Sequence, residues 1–460
     1  MRFFKSLLMA AAVLAGVQAH SAGLRDIYEM ALQNDPQLRA AEAAFRASQE
    51  LQTLGRSQLL PQIGIGAEYS ETDMDLDFLT VLSEDLQVDP TQGSARSDTT
   101  TYSLSITQPL FDLPRWFEFR QGQALSEQGK AEFAADQQEV ILRVADAYFN
   151  VLRAHENLET ATAEEKAIER QLEQTRQRYE VGLLPITDVH EAQAAYDNAT
   201  VNTLEARSAL DIAFEALQVL TGRPITDIYG LATDAPIQNP EPLDREEWVR
   251  FAVNNNFTLR SAQLARDAAE QFAAARRSEH LPKLSASLGY RDVDTDGRRF
   301  GNSFYDKQDG HTVALHATMP IFTGGAVSAQ RRQANEQYIE LEELLELATR
   351  NTVQQARTLH LQVVTDVARV DARAQAITSA SSALEATQAG YEVGTRNIVD
   401  VLVAQRTLFQ AKRDYANARY DYISSRLRLR EVAGQLSPQD VMALESFLDQ
   451  SLEVSQYGGQ

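Results

Sequence analysis

Four short segments of the chain alternate apolar and polar residues with a period of two. Successive side chains of a β-strand point to opposite faces, so this period predicts strands with one apolar and one polar face. The stretches between the partners of each pair, 71–98 and 292–310, are rich in Asp, Ser, Thr and Gly. We therefore predict two strand pairs, each joined by a long polar loop, with the strands at 62–70, 99–108, 284–292 and 311–319.

Long helical segments follow each strand pair. Residues 116–179 contain no Pro, and their only Gly residues, Gly122 and Gly129, lie near the start. Such a helix is a rod of roughly 95 Å at ~1.5 Å per residue. Residues 326–391 predict a second rod, and return helices are predicted over 186–220 and 398–432. Helices of this length are typical of coiled coils. An amphipathic segment, 24–60, precedes the first strand pair and ends at Pro61.

The second half of the chain repeats the first. Tyr-Glu-Val-Gly at 179–182 returns at 391–394, an offset of 391 − 179 = 212. Leu-Pro at 60–61 returns at 281–282 with an offset of 221, and Pro109 and Phe111 return as Pro320 and Phe322 with an offset of 211. A register kept over about 190 residues predicts two copies of one structural unit. Each copy carries a helix, a strand pair, a long helix, a short turn and a return helix.

This repeat defines the domain organisation. Repeat 1 covers residues 23–222 and repeat 2 covers 245–434, with the turns between their long helices at 180–186 and 391–397. Residues 223–244 link the two copies, and residues 435–460 form a C-terminal tail.

The first 22 residues have the composition of an export signal. Arg2 and Lys5 precede a short apolar run from Leu7 to Val17, and small residues allow cleavage after Ala19 or Ala22. The run is too short to span a bilayer as a helix, and no later stretch reaches the ~18 apolar residues that a transmembrane helix needs. The sequence therefore predicts export and excludes a helical membrane protein.

Charge and composition narrow the classes further. The net charge is −22, and removal of Arg2 and Lys5 with the signal brings it to −22 − 2 = −24. Nucleic acid and anionic lipid are poor partners for such a surface as a whole. The chain has no Cys, which excludes disulfides and thiolate metal sites. Its seven His are scattered and no catalytic motif is present, so we predict no enzyme activity and no metal or other cofactor.

Four strands are too few to close on themselves. The smallest common barrel has about eight strands, and open sheet edges are unsatisfied in lipid. Copies of the chain must then share their strands, although two, three or four chains all give an even number. Ala-rich helices with broad polar faces suit the wall of a water-filled tube. The alternatives are an antiparallel coiled coil without a lumen, acting as a periplasmic scaffold or adaptor, and an enzyme on a helical scaffold, for which the acids are too dispersed.

The combination resembles the TolC family of outer-membrane channel and efflux proteins. The resemblance runs from about Leu24 to Gly434. It rests on Tyr-Glu-Val-Gly-Thr-Arg at 391–396, Ile-Val-Asp-Val-Leu at 398–402, Tyr-Ala-Asn-Ala-Arg-Tyr at 415–420, Pro-Ile-Thr-Asp-Val at 185–189 and the two Pro-x-Phe turns.

The resemblance implies a mainly helical fold with membrane β-structure. The expected assembly is a homotrimer with a 12-stranded β-barrel in outer-membrane lipid, continuous with a long helical barrel in the periplasm and encircled by an equatorial belt from residues 223–244 and the tail. The implied function is an exit channel for drugs, detergents or polypeptides in a tripartite efflux or type I secretion system. The implied partners are a periplasmic adaptor and an inner-membrane transporter of the RND, ABC or MFS type.

The resemblance also implies site residues. A polar latch at the periplasmic mouth is expected from Thr187, Asp188, Tyr391 and Arg396. Asp400 matches a constriction acid that favours cations, or it is a helix N-terminal acid favoured by the helix dipole. The family's second acid, three residues on, is here Val403, which weakens the expected selectivity. The implied adaptor-docking residues lie in the two turns: Val181, Gly182, Leu183, Val393, Gly394 and Thr395.

Overall fold

The computed structural model describes residues 21–81, 88–232, 235–299 and 302–456. Apart from residues 21 and 22, the predicted signal peptide lies outside the described residues. The described chain contains these elements: α1 (Leu24–Asn34), α2 (Pro36–Ser57), β1 (Gln62–Val81), β2 (Val88–Phe111), α3 (Leu113–Glu180), α4 (Ile186–Thr221), β3 (Asp227–Leu231), α5 (Arg245–Asn255), α6 (Phe257–Ser278), β4 (Lys283–Arg299), β5 (Asn302–Thr318), α7 (Ala326–Glu392), α8 (Ile398–Val432), α9 (Pro438–Glu445) and β6 (Leu448–Ser455).

The long helices and the short turns after them follow the sequence prediction closely. α3 and α7 contain 68 and 67 residues, and α4 and α8 begin at the predicted residues 186 and 398. The opening segment differs, because the predicted helix over 24–60 is divided at Asp35. Pro36 has no backbone N–H to continue the first helix, and Asp35 adopts an extended conformation at its end. Asn256, which is also extended but is followed by Phe257 and not by a proline, divides α5 from α6.

The strands are longer than the alternation predicted. Most of the predicted polar loops, 71–98 and 292–310, is strand: β1 and β2 stay paired out to Val81 and Val88, and β4 and β5 out to Arg299 and Asn302. The loop prediction was wrong because it ended each strand where apolar residues stop alternating with polar ones. Backbone pairing needs no apolar face, and Thr- and Ser-rich segments continue the ladder wherever both faces are polar.

The chain divides into two compact units. One comprises Met1–Ala44, Ala131–Arg260 and Leu347–Gln460, and the other comprises Phe45–Lys130 and Ser261–Glu346. The second unit contains an antiparallel four-stranded sheet in the order β1-β2-β4-β5. The strand that joins the two hairpins is β2, which pairs with β4 from Ala95–Arg299 to Phe111–Leu284.

The core of the first unit is built on aromatic side chains whose polar tips hold the linker between the repeats. Tyr148 and Tyr422 are buried, and their hydroxyls donate to the carbonyls of Tyr229 (2.6 Å) and Gln238 (2.8 Å). The buried indole of Trp248 donates to the Pro242 carbonyl at 2.7 Å. Buried aromatic residues with a satisfied donor supply a large apolar area without an unpaired polar group. These bonds fix segment 223–244, in which β3 pairs with β6 of the C-terminal tail.

The first described residues join this small sheet. The amide of Ala22 donates to the Asp227 carbonyl at 3.0 Å, and Ala22 forms a parallel bridge with Ile228. The Ser21 hydroxyl is buried and donates to the Glu453 carboxylate at 2.8 Å. Both side chains are therefore part of the packed unit.

These contacts discriminate between the two predicted cleavage sites. We expect the signal to be removed after Ala19, because cleavage after Ala22 would delete the bonds to Asp227 and Glu453. Amino-terminal sequencing of the exported protein should therefore read His-Ser-Ala-Gly, and intact mass should agree. A chain that begins at Gly23 would contradict this prediction.

Candidate functional site

The four-stranded sheet has one strongly apolar face that lies open. Ile65, Leu104 and Tyr290 stand opposite one another on β1, β2 and β4. Ile65 is 87% exposed, and Val313 on β5 is 76% exposed. An uncovered apolar face of this extent is unstable in water and marks a surface that contacts lipid or another protein.

The opposite face of the sheet carries mostly polar residues and glycines. Gly66, Ser103 and Arg291 lie side by side on β1, β2 and β4, and the hydroxyls of Thr99 and Thr295 meet at 3.3 Å. Thr101 on this face is buried, whereas Tyr102 beside it on the apolar face is 58% exposed. The sheet thus has a polar face that is partly buried and an apolar face that is exposed. Such a division suits a wall between an aqueous lumen and lipid.

No described helix is both long enough and apolar enough to cross a membrane. Among the described residues, no three His, Asp or Glu side chains converge in a way that could hold a metal ion.

In the first unit, a ladder of polar contacts joins α8 to α3. Arg413 reaches Glu164 at 2.6 Å, Asp421 reaches Arg153 at 2.8 Å, and the Tyr420 hydroxyl donates to Glu156 at 2.5 Å. Further along, Asp146 accepts from Ser424 (2.7 Å) and Arg428 (3.0 Å). Because α3 and α8 come from different halves of the chain, these contacts tie the two long hairpins together.

The turns between the long helices have the same geometry in both halves. Gly182 has φ 76° and Gly394 has φ 79°, a left-handed conformation that glycine adopts without steric cost. The amides of Gly182 and Leu183 donate to the carbonyls of Tyr179 (2.8 Å) and Arg178 (2.9 Å), and those of Gly394 and Thr395 to Tyr391 (3.1 Å) and Gly390 (2.9 Å). This is the Schellman pattern of helix termination, and it explains the repeated Tyr-Glu-Val-Gly.

The predicted docking residues project from these turns. Val181, Leu183 and Val393 are 70–76% exposed, and a side chain added at Gly182 or Gly394 would meet no atom within 4 Å. Thr395 is exposed as well, and its hydroxyl bonds the Gly390 carbonyl at 3.0 Å. Both turns therefore present bare apolar surface.

Behind the turns, a small apolar cluster brings the four long helices together. Ile168, Ala199, Ile398 and Leu402 are buried in it, and Tyr391 packs against them. The Arg178 guanidinium lies 5.3 Å from the centre of the Tyr391 ring. The Tyr391 hydroxyl is buried and has no hydrogen-bond partner among the described residues.

The predicted latch residues do not form one cluster within a single chain. Thr187 is exposed and donates to Asp188 at 3.3 Å. Arg396 is exposed and lies 3.8 Å from Asp400. In the described part of the chain, no hydrogen bond or ion pair joins Thr187 or Asp188 to Tyr391 or Arg396. Sequence reasoning did not identify the Arg178–Tyr391 contact, which joins side chains 213 positions apart (391 − 178).

Asp400, the predicted constriction acid, also caps the start of α8. It stands in the first turn of α8, where its amide donates to the Asn397 side chain at 2.8 Å and its carboxylate accepts the Asn397 amide at 3.4 Å. This reciprocal capping box satisfies two free amides at the helix start. The carboxylate nevertheless remains 38% exposed. Val403, one turn further along α8, is 54% exposed.

Comparison with known proteins places this architecture in a family. The model of the outer membrane efflux proteins matches residues 27–223 and 248–435. The chain belongs to this family. Outer membrane protein TolC of Vibrio cholerae is 36% identical over 425 residues, covering 92% of this chain and 93% of that protein. Outer membrane protein TolC of Escherichia coli K12 is 35% identical over 446 residues, covering 94% and 86%.

The fold agrees with a solved structure. The outer membrane protein VceC of Vibrio cholerae superposes with a TM-score of 0.73 over 89% of this chain and 96% of that chain, at 19% sequence identity. The predicted TolC resemblance is thus confirmed. This efflux-family protein is an outer-membrane exit channel, and its helical part lies in the periplasm.

One buried carboxylate in the helical part was not predicted. Asp366 on α7 is 1% exposed, and the Arg369 guanidinium lies 3.0 Å from its Oδ1. Neither carboxylate oxygen accepts a well-aligned hydrogen bond among the described residues. Burial raises the pKa of Asp366, and Ser425 and Arg369 offset part of the rise. No sequence signal distinguishes it from the exposed acids of the same helix.

Asp366→Asn should stabilise the protein near pH 8. A raised folded-state pKa means that stability is lost as the pH rises from the unfolded value of about 3.9 through the raised value. Removal of this charge should therefore raise the free energy of unfolding at pH 8 and change it little at pH 4. Thermal unfolding of the wild type and of the variant at both pH values measures this difference in stability. The exposed Asp371→Asn on the same helix is the matched control, and equal behaviour of the two variants would contradict the prediction.

Proposed function

We propose that three copies of this chain close their sheets into one 12-stranded barrel in the outer membrane, continuous with a helical barrel in the periplasm. The observation that carries this proposal is the sheet itself, which combines an exposed apolar face with two unpaired edges. In the described part of the chain, β1 and β5 each pair on one side only. Unpaired backbone groups cost several kcal/mol each in lipid, so the edges must meet edges of other chains.

The topology permits this closure. β1, β2, β4 and β5 are antiparallel in turn, so β5 of one chain runs antiparallel to β1 of the next. The ring is then antiparallel throughout, as in other outer-membrane barrels. Twelve strands leave an aqueous lumen, which the Ser, Thr and Gly face of each sheet would line. The two halves, 23–222 and 245–434, act as structural repeats in this scheme, and the two separately matched ranges support it.

The proposed cycle delivers drugs, detergents or polypeptides from an inner-membrane transporter of the RND, ABC or MFS type. A periplasmic adaptor docks on the two turns through Val181, Gly182, Leu183, Val393, Gly394 and Thr395. The exposed apolar side chains of Val181, Leu183 and Val393 support this assignment of the docking residues. A rigid helix end with exposed Val and Leu suits a partner with an apolar groove. The proposal gives the channel no catalytic step and no cofactor.

The proposed gate lies at this same end. Thr187, Asp188, Tyr391 and Arg396 link neighbouring hairpins or neighbouring chains when the mouth is closed. Arg396 is 61% exposed and thus accessible to an acid of another chain. An exposed ion pair contributes about 1 kcal/mol or less, so a few such links bias the gate without locking it. Three Asp400 carboxylates form the constriction, with Val403 in place of a second acid.

Ile65→Arg should prevent membrane assembly. A charge on the lipid face costs about 2–4 kcal/mol near the bilayer midplane, whereas a charge facing the lumen remains hydrated. Ser105→Arg, on the polar face of the neighbouring strand, is the matched control. Fractionation should find the Ile65 variant depleted from the outer membrane, and the control should form channels in planar bilayers. Normal insertion of Ile65→Arg, or a wild-type protein that stays monomeric without detergent, would refute the barrel and favour the scaffold.

Asp400→Ala should lower cation selectivity. Removal of three carboxylates from one ring removes the local attraction for cations, so the reversal potential in a salt gradient should move toward zero. Glu385→Ala, an exposed acid on α7, is the control and should leave the potential unchanged. Retained selectivity in Asp400→Ala would show that the acid acts only as a helix cap.

A further inference from the structure

Three arginines line one groove in the unit that contains the four-stranded sheet. Arg277 in the last turn of α6 and Arg331 and Arg332 in the second turn of α7 surround a cavity of about 270 Å³. Glu336 is the only acid in its lining, which is completed by Ala273 and Asn335. All three arginines are exposed, and none forms an ion pair with a described residue. The chain has 65 acids and 43 bases, so its overall charge disfavours anionic ligands, and these three arginines form a local positive patch.

The connections that lead from the sheet to the helices of the groove carry strongly exposed apolar residues. Ile321 and Phe322, in the connection between β5 and α7, are 91% and 87% exposed. Leu281, between α6 and β4, is 40% exposed. Arg331 follows the start of α7 by five residues, a rise of roughly 7–8 Å. The order along the molecule is therefore apolar sheet face, exposed apolar connection, and then arginines.

This order matches the layers of a lipid leaflet. Headgroups occupy a zone of about 5–8 Å on each side of a hydrocarbon core of about 30 Å. Arginine suits phosphate because its planar fork of donors binds two oxygens at once, and it keeps its charge at any physiological pH. A free anion would satisfy the charge, but it would leave Ile321 and Phe322 bare. A phospholipid satisfies both, with its phosphate in the groove and its acyl chains against the apolar connection.

We propose that the groove of Arg277, Arg331 and Arg332 binds the headgroup phosphate of an anionic phospholipid in the leaflet that faces the helices. The inference rests on the proposed placement of the sheet in the membrane. It assigns a specific lipid contact to each chain, beyond general immersion in lipid. Bound lipid would fix the helix–strand connection at the height where the barrel meets the helices.

The test compares phospholipid retention by the full-length mature protein. Native mass spectrometry after detergent release would count bound phosphatidylglycerol and phosphatidylcholine on the wild type and on a variant with Arg277→Gln, Arg331→Gln and Arg332→Gln. The wild type should prefer phosphatidylglycerol, and the variant should lose this preference by about tenfold or more, because each arginine near the surface contributes to the attraction. A variant with Arg223→Gln, Arg250→Gln and Arg406→Gln loses equal charge from exposed sites elsewhere and should bind as the wild type does.

Two outcomes would overturn the proposal. If inorganic phosphate competes as strongly as phosphatidylglycerol, the groove is a site for free anions. If the variant keeps its lipids but changes the ion selectivity of the channel, the arginines face the lumen. Single-channel conductance separates these results from failure of the proposed function. If neither the wild type nor the variant forms channels, the barrel itself is refuted.

Discussion

The constraint on which this molecule depends is that every backbone amide and carbonyl of a sheet must be paired once water is removed. The sheet of one chain has two unsatisfied edges and an open apolar face, so it is incomplete by itself. In the proposed assembly, lipid covers the face and strands of other chains complete the edges. Because the long helices are covalently continuous with these strands, any assembly of the sheets also assembles the helices.

Polar contacts between side chains contribute much of what holds the long helices together. Side chains of α8 from Arg413 to Arg428 bond those of α3, and the repeatedly used residues are Asp, Glu, Arg and Tyr. These helices share only a narrow apolar seam, so directed hydrogen bonds help to set the register of neighbouring helices. This explains the segment Tyr-Ala-Asn-Ala-Arg-Tyr at 415–420, in which small Ala residues admit a close approach and the polar residues between them reach α3.

The two ends of the helices differ in what they present. At the turns, glycine-terminated helix ends leave Val181, Leu183 and Val393 bare, while the polar groups beside them pair locally. At the strand end, Ile321 and Phe322 are exposed in the connection that leads to α7, whose second turn contributes two of the three arginines of the groove. The turns also carry exposed charges, among them Glu180, Glu392 and Arg396.

The sequence by itself determined the elements with strong local causes. Unbroken helix formers set the long helices, Gly182 and Gly394 set the turns, and alternation identified all four strands of the large sheet. It misjudged where those strands end, because pairing continues through polar segments, and it missed the break at Asp35. Only the tertiary structure decided that Asp366 is buried, that Arg178 reaches Tyr391, and that Arg277 meets Arg331 and Arg332. Each of these depends on contacts between distant segments, and neither the type of a residue nor its neighbours in the chain records such contacts.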